Sequence, residues 1–357
     1  MLRNMDRTKV RFAHIWAYSA CITETRKRGK GMKYRSLGTD GPKVSAVGLG
    51  TWAMAGNSYG KVDDAESIRA ICRALEEGIN LVDTAASYGG GYSEKVVGMG
   101  LKGRRQQAFL CTKCGIHPNK ERTALEYDLK PESIRGELEN SLKNLQTDYI
   151  DLYQFHYPDP STPIAESLGE LKRLREEGKI RYIGLSNFSL EQIREAVSVW
   201  KPDSVQVQFS LLEQSGREIL HYCREQEIGV LTYGSIAGGM LSGKFQEPPV
   251  FQPQDTRERF YPYFKEPAFS RCRRLVDVLE EIAGSHGWPV SAAAIAWVNQ
   301  QEGVTCALVG AKTPLQASAN AGAGDCELKE EELKKIERAW LRLQDESAET
   351  VKEGNET

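Results

Sequence analysis

Eight short, β-branched apolar runs recur along the chain, and amphipathic stretches separate them. That alternation predicts an α/β protein, a parallel sheet closed into a (β/α)8 or TIM barrel. The open, doubly wound alternative would carry a GxGxxG turn after its first strand, and "GLGTWAMAG" lacks that spacing. Polar residues also gather at the C-terminal ends of the runs, the place where such barrels build their active sites.

The strands read in order are 44–52, 79–85, 108–114, 149–156, 180–188, 204–210, 228–235 and 305–311. Helical faces lie between them: Ile68, Ile71, Cys72 and Leu75 in one, Ile134, Leu138, Ser141, Leu142 and Leu145 in a second, Ile164, Leu168, Leu171 and Leu174 in a third. Gly78 and Gly178 stand where helix C-caps are expected. Ahead of the repeat, "KYRSLGTDGPKVS" has the look of a small hairpin able to plug the barrel floor. After the seventh strand comes a long loop rich in proline and aromatics, "GKFQEPPVFQPQDTRERFYPYFKEP", of a length usually kept for function. A C-terminal helix follows the eighth strand, and the acidic residues 347–357 are expected to form a disordered tail.

The chain of 357 residues suits one barrel at 32–346. With 40% hydrophobic and 27% charged residues it reads as a globular protein, and no apolar run nears the roughly 20 residues of a membrane span. A net charge of −2 gives no reason to expect nucleic acid or a membrane as partner. The charge is uneven: residues 1–31 carry eight basic and two acidic side chains, a net +6, against −8 for the remainder. This basic extension reads as a transit peptide, as a binding arm, or as sequence ahead of a true start at Met32. Most of the eight cysteines fall singly in helix and strand patterns, as expected of free thiols in a reducing, cytoplasmic setting. "CTKC" has CxxC spacing without the second ligand pair a tetrahedral metal needs, so no metal is expected.

The strand ends supply a chemical inventory. The first strand ends in Gly50, Thr51 and Trp52, the second in Asp83 with Tyr88 on its glycine-rich loop, the third near Lys113 and the fourth in His156. The fifth gives Ser186 and Asn187, the sixth Gln206, the seventh Tyr233, Gly234 and Ser235, the eighth Gly310 and then Lys312 and Thr313. A buried strand rarely ends in an unpaired carboxylate. Alternation along "FLCTKC" puts Lys113 on one face with Phe109 and Cys111; if that face is the interior, Lys113 meets Asp83. Taken singly, such residues are more often a structural ion pair, a loop tyrosine and a strand-end histidine. Taken together they form an apparatus for carbonyl reduction. Tyr88 is then general acid, Lys113 lowers its pKa, Asp83 anchors the lysine, and His156 orients the carbonyl oxygen.

The remaining strand ends fit a hydride donor. Ser186, Asn187 and Gln206 suit a carboxamide, and Tyr233 a nicotinamide ring. In "YGSIAGGMLSGKF" the glycines, among them Gly234, Gly239 and Gly243, allow close approach to a pyrophosphate, with Ser235, Ile236, Ala237, Leu241 and Lys244 in the same segment. Lys312 and Thr313 beside a helix N-terminus suit a 2′-phosphate, which favours NADP(H).

On these residues the chain resembles the aldo-keto reductases over roughly residues 33–343. "DTAASYGGGYSE" is similar to the family's Asp-to-Tyr signature, "LYQFHYPD" to its histidine strand, "GKIRYIGLSNFS" to its Ser-Asn strand, and "TYGSIAGGMLSGKF" and "VGAKTPLQASAN" to its cofactor segments. The resemblance implies a barrel that binds extended NADPH without a Rossmann domain, with the roles given above for Asp83, Tyr88, Lys113 and His156. It also implies cofactor contacts at Gln316 and Asn320. "DTRERFYPYF" resembles the "DxRxxxPxF" lid of the subgroup that includes bacterial sugar-aldehyde reductases and potassium-channel β subunits. Two departures stand out: Ala319-Asn320 where many members have Glu-Asn, and Gly234-Ser235-Ile236 where Ser-Pro-Leu is common. The implied function is reduction of a small aldehyde, ketone or sugar. A cofactor-binding regulatory subunit and a dehydrogenase working oxidatively are the alternatives, and the oligomeric state is open. Expected substrate walls are Trp52, Met54, Tyr59 and Tyr88, with Phe260, Tyr261, Tyr263 and Phe264 from the long loop.

Overall fold

The computed structural model describes residues 31–56, 59–118 and 125–355. Strands β1 (Tyr34–Ser36) and β2 (Lys43–Ser45) form the expected antiparallel hairpin. The barrel strands are β3 (Val47–Gly50), β4 (Leu81–Asp83) and β5 (Phe109–Cys114), then, past a second hairpin of β6 (Ile116–Pro118) and β7 (Leu125–Tyr127), β8 (Ile150–Phe155), β9 (Ile180–Ser186), β10 (Ser204–Gln208), β11 (Gly229–Tyr233) and β12 (Val304–Gly310). All eight barrel strands pair in parallel, and β12 pairs back onto β3 to close the ring. The fold is therefore the predicted (β/α)8 barrel.

Period-two alternation fills the barrel from below. Leu37 and Val44 of the hairpin pack against Leu81, Phe109, Leu152, Leu231 and Cys306, so the hairpin plugs the floor with apolar side chains. Arg35 locks it there, donating to the carbonyls of Asn299 (2.7 Å) and Val304 (2.8 Å). The barrel is tight at this level: a Cβ on Gly48 would lie 2.7 Å from Leu308 Cδ2 and 2.9 Å from Cys306 Sγ. One layer higher along the same strands the inward residues turn polar.

The outer helices are α1 (Asp64–Glu76), α2 (Tyr92–Leu101), α3 (Pro131–Leu145), α4 (Ile164–Glu176), α5 (Leu190–Val199) and α6 (Arg217–Glu225). Asp63 caps α1 by accepting from Glu66 N, and Ser189 with Gln192 forms a capping box on α5. Of the anticipated faces, Ile71, Ile134, Leu138, Leu145, Leu168, Leu171 and Leu174 are fully buried. Ile68, Cys72, Leu75, Leu142 and Ile164 are half-buried, at the edges of the stripes. Gly78 and Gly178 take left-handed φ values of +89° and +76°, as expected of them.

The long loop expected at 243–267 holds one short helix, α7 (Arg257–Phe260), and a single 3-10 turn at Pro262–Phe264. Two full helices, α8 (Ala268–His286) and α9 (Val290–Asn299), follow it before β12; α10 (Pro314–Gly322) and α11 (Glu330–Asn355) complete the chain. Helix α11 runs through the acidic stretch expected to be irregular from Ser347. Alanine, glutamate and lysine there are strong helix formers, and that local preference outweighs the charge. The basic N-terminal extension lies, Gly31 apart, outside the described residues, as does Cys21. The seven described cysteines are free. Cys111 belongs to the barrel interior and Cys114 to the layer between strands and helices, so the CxxC residues face apart.

One buried carboxyl sits poorly in that outer layer. Burial, with Asp128 and Glu94 nearby, pushes Glu137 up to about 7, although its Oε1 accepts from Gly115 N at 3.0 Å. A raised carboxyl pKa means that folding favours the neutral form, so stability declines as pH rises from the ordinary carboxylate range through about 7. Glu137→Gln keeps the acceptor and removes the charge. We expect it to raise Tm at pH 8 by about 3–6 °C and to have little effect at pH 5, as read by thermal unfolding at both values.

Candidate active site

The polar layer begins with Asp83, which ends β4 at 3% exposure. Lys113, two residues beyond the Asp83–Cys111 pairing on β5, points into the same space and donates to Asp83 Oδ2 at 2.6 Å and to the Thr84 carbonyl at 2.9 Å. Its third contact is the Tyr88 hydroxyl, at 3.4 Å. Asp83 Oδ1 accepts from Gln206 Nε2 (2.9 Å) and Gln154 Nε2 (3.3 Å). The carboxylate thus draws together β4, β5, β8 and β10.

His156 follows β8 and meets Tyr88 edge to face, with ring centroids 5.7 Å apart. Its Nδ1 lies 3.2 Å from Ser87 Oγ. Burial, then the Lys113 charge, holds the histidine well below its usual range, so the ring is neutral. Burial pulls the lysine down, but Asp83 and Tyr88 more than restore it, and the amine stays charged. Burial raises the Tyr88 phenol; Lys113 lowers it and Asp83 raises it again. The net direction is upward, so the lowering expected from Lys113 is present but outweighed by desolvation.

Above this layer a cleft opens, lined by Gly50, Thr51, Trp52, Tyr88, Tyr233, Gly234, Ser235, Ile236, Gly239, Lys244, Gly310, Lys312 and Gln316 among the expected residues. Gly234, Ala237, Gly238 and Gly239 all have left-handed φ, between +49° and +97°, so this turn presents its backbone to the cleft much as an anion-binding nest does. Three cations converge beside it: Lys244, Lys312 and Arg257. Burial and the other two charges push Lys244 down to about 8. Asp255 offsets only one of them, through a two-pronged pair with Arg257 (2.6 and 2.9 Å). A nest beside unbalanced positive charge fits the phosphates of a dinucleotide.

Other expected contacts serve the frame. Asn187, at φ +61°, donates to the His156 carbonyl (2.9 Å) and Ser186 Oγ (3.1 Å) and accepts from the Tyr233 hydroxyl (2.7 Å). Thr313 caps α10, Asn320 donates to the Gly310 carbonyl, and Ser235 Oγ to the Leu308 carbonyl. The side chains of Ala237 and Leu241 are buried in the core, and the α-carbon of Gly243 faces Glu280 and Val290. Met54 is a correction: it is fully buried in the core and forms no wall, because the turn after β3 points it inward.

Trp52 stands at the centre of the mouth, stacked on Tyr88 (6.2 Å) with Tyr59 (5.2 Å) and Phe260 (5.0 Å) edge-on. Tyr261 lies over Gly238, where a Cβ would come within 2.6 Å of its ring, so it covers the glycine turn. Tyr263 and Phe264 are buried beneath it and anchor the lid. Sequence reasoning missed Gln154, Arg257, Ser87 and Tyr157, whose ring is 5.5 Å from that of His156. Gln154 was open to the alternation that found Lys113, since it shares a face with Leu152 and His156.

A sequence model described as the Aldo/keto reductase family matches residues 46–341. The aldo-keto reductase YhdN of Bacillus subtilis is 40% identical over 301 residues, 81% of this chain and 87% of that one. The NADH-specific methylglyoxal reductase of Escherichia coli is 35% identical over 82% of this chain and 93% of its own. Among solved structures, the glycerol dehydrogenase of Gluconobacter oxydans superposes with a TM-score of 0.78 at 38% identity, over 87% of this chain and 95% of that one. With barrel, buried ion pair and matched sequence in agreement, the chain belongs to the aldo/keto reductase family.

Proposed function

We propose that the protein is an NADP(H)-dependent oxidoreductase that reduces small aldehydes or ketones to alcohols. The observation that carries this reading is the Tyr88 hydroxyl held 3.4 Å from an ammonium that is itself fixed on Asp83. In this reading a carbonyl oxygen sits between Tyr88 and His156. A nicotinamide held in the cleft beside Tyr233 would supply hydride to the carbonyl carbon. Tyr88 gives its proton to the oxygen as negative charge develops there, and Lys113 stabilises the phenolate left behind. Neutral His156 donates a hydrogen bond that orients the oxygen. Trp52, Tyr59 and Phe260 exclude water from the mouth.

The same groups run the reverse reaction, oxidation of an alcohol, with the phenolate as base. The neighbours carry names of both kinds, a methylglyoxal reductase and a glycerol dehydrogenase. Both names denote small oxygenated compounds, which suits a mouth lined by aromatic rings and tyrosine hydroxyls. The preference for NADP(H) over NAD(H) rests on Lys312, which stands at the N-terminal end of α10 beside its cap Thr313, a position suited to a 2′-phosphate. The free thiols fit a reducing compartment such as the cytoplasm.

Steady NADPH oxidation with a panel of small aldehydes tests the activity; tight binding without turnover would instead favour a regulatory subunit. Tyr88→Phe should lower turnover by about 10²–10⁴-fold while the NADPH Kd stays within a few-fold, and a large loss of cofactor affinity would contradict the assigned role. Because the phenol is held above its ordinary value of 10.0, reduction should keep its proton donor through neutral pH and lose it only in strongly alkaline buffer, measured as kcat/KM against pH. Lys312→Ala should weaken NADPH roughly tenfold and NADH hardly at all in fluorescence titrations; equal effects would remove the phosphate assignment.

A further inference from the structure

Ser87 precedes the acid Tyr88 on the loop after β4. Its Oγ lies 3.2 Å from His156 Nδ1, the one hydrogen bond of that hydroxyl among the described residues. His156 is neutral, so its ring carries a single proton and has two tautomers. Among the described residues its Nε2 has no hydrogen-bond partner, so Ser87, whose hydroxyl can donate or accept at Nδ1, is the one side chain in place to bias the choice.

We propose that Ser87 is a positioning residue that sets the tautomer of His156: its hydroxyl donates to Nδ1 and thereby keeps the proton on Nε2, where a substrate carbonyl needs a donor. This rests on the role given to His156 above. With the proton on Nδ1 instead, the bare Nε2 lone pair would face the carbonyl oxygen and repel it. The placement is economical, since consecutive residues of one turn then fix both donors, Tyr88 as acid and Ser87 through the imidazole.

The test is nitrogen NMR of protein labelled with ¹⁵N-histidine, the His156 signals identified by their loss in His156→Gln. The Nε2–H form is expected in the wild type, and a shift toward Nδ1–H or a mixture in Ser87→Ala. Turnover of a small aldehyde in Ser87→Ala should fall roughly five- to tenfold with NADPH Kd unchanged, and Ser87→Thr, which restores the hydroxyl, should recover most of both. A wild-type His156 in the Nδ1–H form would overturn the proposal, as would an unchanged tautomer in Ser87→Ala. A wild type that shows the expected tautomer and its loss in Ser87→Ala, yet reduces no carbonyl, would defeat the reductase reading while leaving the tautomer assignment standing.

Discussion

The ion pair between Lys113 and Asp83 is the constraint on which this barrel depends. Both side chains are almost wholly removed from water, at 1% and 4% exposure. Burying such charges costs several kcal/mol each, roughly, and attraction repays it only when the leftover lone pairs and protons are also satisfied. Here they are. Lys113 places its protons on Asp83, the Thr84 carbonyl and the Tyr88 hydroxyl, and Asp83 receives two glutamine amides on its second oxygen. Slipping any of these strands by one residue would turn its polar side chain out of the ring and leave a charge short of partners. The pair therefore enforces strand register and aims the phenol with the same contacts.

Much of this was legible before any coordinates. Strand ends are marked in the sequence because a parallel barrel strand is apolar along its length and turns polar where it reaches the mouth of the barrel. Asp83, His156 and Ser186 could be read from that change alone. Lys113 needed one further step, the two-residue period of β5, and the structure places it as that period required. The floor hairpin was marked by the turn residues Gly38, Asp40, Gly41 and Pro42 between its two short arms.

What escaped reading has physical causes. Hairpin β6–β7 is brief and half-exposed, so no alternation announces it. Helix α9 is buried nearly all round and has almost no polar face to give a period. Met54 looked like a wall because it lies two residues from Trp52, but within the single 3-10 turn after β3 it is Met54 that turns into the core. The direction of the Tyr88 shift lay beyond spacing altogether: it is a contest between a cation and the loss of solvent, and only three dimensions give the second quantity. Arg257 was hidden for a similar reason, since a long lid brings it back to Lys244 and Lys312 from far along the chain.

Asn187 holds a left-handed backbone that most side chains avoid, and with one amide it ties the ends of β8, β9 and β11. It works as a keystone beneath the rim. Redesign of the mouth for new substrates has its freedom at the exposed Phe260 of the lid and in the β6–β7 hairpin, because neither carries this knot. A replacement at position 187 would meet both a backbone penalty and three loosened strand ends, so selectivity and alignment can be engineered separately in this scaffold.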